Sequence, residues 1–179
     1  MPYVILLTAI ILIPVIWWIA AGNKFRRLLV KAEEAGSGID VALTKRYDTL
    51  TKLLSITKAY AGHESDTFEK IIRLRQGMTV TERKEANAQL DQFKSEISLL
   101  AENYPELKSS ENYRQLQIAV SDVEEHLQAA RRLFNSNVSL LNQKIVTFPD
   151  SLVARAMGLQ RQEFFETEES KKADVQMAF

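Results

Sequence analysis

The chain has 179 residues, 23 Lys/Arg balanced by 23 Asp/Glu, and no cysteine. That balance argues against a basic nucleic-acid-binding domain, and the missing thiols exclude disulfides, thiolate metal sites and a Cys nucleophile. Six Gly and four Pro are few for the frequent turns of an all-β protein, so the composition points to helices.

No charged side chain occurs from Met1 to Gly22, and Lys24, Arg26, Arg27 and Lys31 follow at once. A helix needs about 20 apolar residues to cross the hydrocarbon core of a bilayer. Tyr3 to Ala21 approaches that length, with Tyr3 at one interface and Trp17 and Trp18 at the other, so residues 1–22 read as a membrane anchor. A cleaved signal peptide fits less well, because no basic residue precedes the apolar run and Ile19 occupies a cleavage-site position that needs a small residue. The Lys/Arg flank places the remaining chain in the cytoplasm and the N-terminus outside. From Gly22 to Tyr60 there are eight Lys/Arg against four Asp/Glu, a local excess attractive to anionic lipid.

Residues 23–158 read as one helical bundle. Ile39, Leu43, Tyr47, Leu50, Leu54, Thr57 and Ala61 fall at steps of four and three, one stripe along a helix. Gly36 and Gly38 argue for a break, each costing about 1 kcal/mol in a helix interior. Phe25, Leu28, Leu29 and Ala32 nevertheless carry the spacing into Ile39, which predicts a helix continuing out of the membrane. A shorter helix is expected over 65–76 and a turn over 77–80. Ala86, Leu90, Phe93, Ile97, Leu100 and Tyr104 form the next stripe, with Thr79 and Glu82 at capping-box spacing and Pro105 as the stop. The longest stripe runs from Tyr113 through Leu127 and Leu141 to Phe148, with Ser110 as N-cap and Pro149 as stop. A brief helix is expected from Leu152 to Met157, ended by Gly158. Residues 159–179 read as a C-terminal segment in which Phe164 and Phe165 latch onto the bundle before a disordered acidic tail from about Thr167. Long helices with single apolar seams are stable only against one another, so the fold class is all-α, an N-terminal transmembrane helix followed by an antiparallel bundle.

Beyond periodicity, the chain carries a specific order of residues: Asp40, Arg46 and Asp48 near the first stripe, Glu102 to Lys108 (ENYPELK), Asn112, Tyr113, Arg131, Arg132, Asn135, Asn142, Phe148, Pro149 and Gly158. In this order and spacing the chain resembles the LemA family of bacterial membrane-anchored helical proteins over roughly residues 23–166. It departs from the family pattern at Leu50 to Leu54, where a Pro-Asn-containing stretch is usual. The resemblance implies an N-out anchor, a cytoplasmic bundle of very long helices and no established biochemical activity.

Chemistry-bearing motifs are sparse. His63 and Glu64 lack the second His that a zinc-protease helix carries four residues on, where Thr67 stands. His126 is solitary, and Glu124 and Glu125 lack the paired Glu-x-x-His of a di-iron bundle. P-loop, dinucleotide and serine-nucleophile signatures are missing. No catalytic residue, metal or cofactor is therefore expected. Asp40, Arg46, Asp48, Arg131, Asn135 and Asn142 lie beside apolar stripes, where polar groups need partners, and are expected to form a structural polar network that sets helix register. Tyr3, Trp17, Trp18, Lys24, Arg26 and Arg27 are the expected anchor residues. The expected function is a membrane-anchored non-enzymatic scaffold that binds the lipid bilayer, unidentified membrane or cytoplasmic proteins and further copies of itself, and no nucleic acid. The alternative is a lipid-surface or membrane-remodelling module using the basic juxtamembrane region.

Overall fold

The computed structural model describes the backbone of residues 2–61, 74 and 76–165, and their side chains except at 2, 4–7, 9, 60 and 61. The described residues form five helices and no strand: α1 (Pro2–Ala61), α2 (Val80–Glu102), α3 (Pro105–Lys108), α4 (Glu111–Val146) and α5 (Asp150–Ala156). The helix expected over 65–76 and the acidic tail fall largely or wholly outside these residues. Leu74 is non-helical and Gln76 and Gly77 form a turn, with Gly77 in the left-handed region at φ 73°.

Helix ends follow their local signals. Thr79 Oγ1 accepts the Glu82 amide at 3.2 Å, and Glu82 Oε2 accepts the Thr79 amide at 2.7 Å, a complete capping box. Pro105 does more than stop α2. It opens the one-turn α3, whose first amide needs no partner. Ser110 Oγ accepts the Tyr113 amide at 3.3 Å and caps α4. Gly158, at φ 68°, lets Leu159 N–H reach back to the Ala154 carbonyl at 3.0 Å and close α5. Phe148, expected to end the apolar stripe, is 76% exposed, because α4 stops two residues earlier and its side chain leaves the seam.

α1 runs without interruption through Gly36 and Gly38. Among the described residues no helix is long and apolar enough to cross a membrane, so the span expected over residues 1–22 gains no support from that criterion. The side chains at 4–7 and 9, within that apolar run, lie outside the described set.

The chain divides into two compact units, and α1 and α4 contribute to both. In the first, residues 1–35 and 134–164, a small core gathers Ala21 and Phe25 of α1, Leu141 of α4, and Val153 and Ala154 of α5. Trp17, Leu28, Leu29, Ile145, Met157 and Leu159 pack around it. Here α1 and α4 run antiparallel, with Asn137 Nδ2 donating to the Lys31 carbonyl at 3.1 Å. Lys144 at the end of α4 pairs with Asp150 at the start of α5.

The second unit, residues 36–133 with 165–179, buries Ile39, Leu43, Leu50, Leu53 and Leu54 of α1. It also buries Leu90, Phe93 and Ile97 of α2, Leu107 of α3, and Tyr113, Val120, Val123 and Leu127 of α4. One feature departs from an all-antiparallel bundle: Gly36 and Asp40 meet Arg83, and Arg46 meets Asn87 and Asp91, so α1 and α2 run in the same direction.

The glycines expected to conflict with the helix differ in their surroundings. A Cβ on Gly36 would lie 2.8 Å from Arg83 Nη1, whereas a Cβ on Gly38 would meet nothing within 4 Å. Gly38→Ala is therefore expected to raise stability by about 0.5–1 kcal/mol through helix propensity alone. Gly36→Ala forfeits that gain because the pinned guanidinium must move. Urea titrations followed by helical circular dichroism check both, and equal stabilisation by the two substitutions would refute the packing role of Gly36.

Candidate functional site

The polar side chains expected to form one network sort into separate clusters. The largest surrounds Arg46, whose side chain is only 2% exposed. Its Nη1 donates to Asn87 Oδ1 at 2.8 Å, and its Nη2 donates to Asp91 Oδ1 at 2.5 Å. Nη2 and Nε also reach Glu124 Oε1, at 2.7 and 3.0 Å. One α1 guanidinium is thus held by α2 and α4 together. Asn87 Nδ2 donates to Asp91 Oδ2 at 3.0 Å, and Lys94 Nζ approaches Glu124 Oε1 at 3.3 Å, so the two cations and two carboxylates balance. A buried guanidinium needs acceptors in a fixed fork geometry, and this set supplies them.

Two turns earlier on α1, Asp40 is equally buried. Its carboxylate accepts Arg83 Nε at 2.6 Å and Nη2 at 2.9 Å, a bidentate pair, and also the Gly77 amide at 3.0 Å. Asp40 therefore ties both the turn before α2 and the first turns of α2 to α1. The missing side chain at Gly36, four residues before Asp40 on the same helix face, makes room for the Arg83 guanidinium.

The other expected members stand apart. Asp48 is exposed, and no described partner meets it, because its position faces away from the buried stripe. Arg131 is buried with its guanidinium 4.9 Å from the Phe165 ring centroid, a cation–π contact, and Phe165 itself is 3% exposed. Phe164 stays at the surface. Asn135 is half-buried with polar contacts of its own. In the first unit, Asn142 acts as a backbone mimic: its Nδ2 donates to the Gln162 carbonyl and its Oδ1 accepts the Gln162 amide, both at 2.8 Å. Of the expected anchor residues, Trp17 is half-buried on the small core and in edge contact with Trp18, while Tyr3, Lys24, Arg26 and Arg27 are exposed.

The sequence does not single out Arg83, Asn87, Asp91, Lys94 and Glu124 as partners. Asn87 and Arg83 gave a signal, polar residues each three positions before a buried apolar one, Leu90 and Ala86, on the buried face of α2. Their pairing with α1 depends on helix direction, which periodicity does not carry. His63 and Glu64 lie outside the described residues. Among the described residues no three His, Asp or Glu gather as metal ligands. A shallow groove of about 560 Å³ is lined by Lys52, Ser55 and Ile56 of α1 and by Asn112, Gln115 and Leu116 of α4.

The LemA family model matches residues 35–179. The chain belongs to the LemA family. It is also 27% identical over 163 residues to a protein named LemA from Metamycoplasma hominis, covering 88% of this chain and 74% of that one. Both polar clusters at Asp40 and Arg46 fall within the LemA match, whereas the apolar start of α1 precedes it.

Two substitutions test these clusters. Removing one partner of a buried ion pair costs about 3–5 kcal/mol, and because Glu124 and Asp91 are 26% and 60% exposed and can rehydrate, Arg46→Leu belongs near about 3 kcal/mol. Arg46→Lys recovers only part of it, since an ammonium cannot serve three acceptors in a planar fork. Urea midpoints equal to the parent chain for both would remove the register role. Asn142→Ala loses two hydrogen bonds, about 1–2 kcal/mol, and should expose the peptide bond after Arg161 to trypsin. The rate of cleavage there, read by mass spectrometry, is the check.

Proposed function

We propose that this LemA-family chain is a membrane-anchored, non-enzymatic helical scaffold. In this reading α1 enters the inner membrane with its N-terminus outside, and the helices beyond it present surface in the cytoplasm to other proteins or to further copies of the chain. The observation that carries the reading is an apolar belt on α1. Ile10, Ile11, Leu12 and Ile13 are each more than half exposed, and Val15, Ile16, Trp18 and Ile19 continue the pattern. Four consecutive residues point around the whole circumference of a helix, so no single packing face can cover them; lipid can. The exposed Lys24, Arg26 and Arg27 follow where a cytoplasmic headgroup layer would lie. The scaffold part is supported by the second unit, whose buried charges at Arg46 and Asp40 are spent on joining helices.

A second reading is favoured by the same basic residues: attachment to an anionic lipid surface, worth about 1 kcal/mol per Lys or Arg near the headgroups. The two separate on extraction. A spanning helix keeps the protein in the membrane pellet through high salt and alkaline carbonate and yields it only to detergent, whereas surface attraction fades as salt rises. With Ile10→Lys and Ile13→Lys together, each charge costs about 2.5–3.5 kcal/mol near mid-membrane, and the protein should move to the soluble fraction. Retention of that double variant in carbonate-washed membranes would sink the anchor. A purified full chain that is monomeric and cross-links to nothing would sink the scaffold.

A further inference from the structure

We propose that the α4–α5 turn is a second membrane contact, in which Phe148 and Leu152 seat at the lipid headgroup boundary beside α1. The inference rests on the anchor reading above and adds a surface that the anchor alone does not require.

The geometry lies within the first unit. Asn137 of α4 meets Lys31 of α1, and the two helices are antiparallel. Nine residues further along α4 is Val146, and nine residues back along α1 is Gly22, so Val146 and Gly22 stand at about the same level, roughly 14 Å from that contact. The packing agrees: Ile145, Val153 and Met157 share a core with Trp17, Ala21 and Phe25. The turn after Val146 therefore lies level with the stretch of α1 between Trp18 and Lys24, where hydrocarbon gives way to headgroups in the anchor reading.

At that level the turn is unusually apolar. Val146 is 57% exposed, Phe148 76% and Leu152 47%, and all three lie within seven residues. Aromatic and aliphatic side chains exposed together mark an interaction surface, and aromatic rings favour the membrane interface. The charges fit a lipid partner. The one carboxylate of the turn, Asp150, is paired with Lys144. The first unit as a whole holds seven Lys/Arg against four Asp/Glu, with Lys24, Arg26, Arg27 and Arg155 exposed. A wedge of apolar side chains with a basic surround matches an anionic lipid interface, and it is continuous with the exposed apolar belt of α1.

The chain contains no cysteine, so single thiols can be placed at will. The full chain carrying Phe148→Cys, Leu152→Cys, Leu12→Cys or Ser136→Cys is labelled with an environment-sensitive fluorophore. Each is reconstituted into vesicles of phosphatidylcholine and phosphatidylglycerol, with or without nitroxide-bearing lipid. The expected result is a blue-shifted emission, quenched by nitroxide placed near the headgroups, at positions 148 and 152. The probe at 12 is quenched by nitroxide deep in the acyl chains, and the exposed position 136 is unaffected. A quenched probe at 12 with water-like, unquenched probes at 148 and 152 overturns the inference and leaves the anchor standing. Unquenched probes at all four positions overturn the anchor, and this inference with it.

Discussion

The second unit depends on the burial of one guanidinium. Apolar seams draw α1, α2 and α4 together but leave each free to slide by a turn against the others, because one Leu fits another's place at little cost. Arg46 removes that freedom. Stripped of water, its five N–H groups require acceptors at set positions, and Asn87, Asp91 and Glu124 supply them from two other helices. Any slip of α2 or α4 leaves a buried charge without a partner, an error larger than the packing gain available from the slip.

The Asp40–Arg83 pair extends the same logic to the first turns of α2. It also accounts for a residue that local propensity disfavours. Gly36 is costly in a helix interior, and the cost is offset because its empty position lets a guanidinium approach the α1 backbone and reach Asp40. Gly38 has no such neighbour, and nothing in the structure explains its retention there. One cluster fixes the beginning of α2, the other a position two turns on, and together they set both its register and its direction.

Much of this was legible in the sequence because it is local. Thr79 and Glu82, Ser110, Gly158 and the Leu90–Phe93–Ile97 spacing each act within one or two turns, and each does in the fold what its chemistry dictates. The partners of Arg46 were not legible, since no periodicity links residue 46 to 87, 91 and 124 before the helix directions are known. The same ignorance made an all-antiparallel arrangement the natural expectation. Asp48 lies beside the apolar stripe in sequence, but it stands two residues, or 200° around the helix, from the buried Arg46, and its side chain faces solvent. The position of Asn142 beside an apolar stripe marks it as an amide in need of a partner. That its partner is the main chain of Gln162 depends on a tertiary fold-back of 20 residues, which no local signal encodes.

The parallel course of α1 and α2 bears on how the chain length can vary. Since the Gly77 amide is fastened to Asp40, the polypeptide leaving Ala61 has to travel back past 21 helical residues, about 32 Å, before α2 can begin. Fully stretched peptide covers at most about 3.3–3.6 Å per residue, which sets a floor near ten residues for that journey. Added residues there are cheap, since the entropic cost of closing a connection grows only with the logarithm of its length, about 0.6 kcal/mol per doubling. Trimming below the floor tears Asp40 from its amide. Relatives with this topology should therefore differ in this connection by insertion far more readily than by loss.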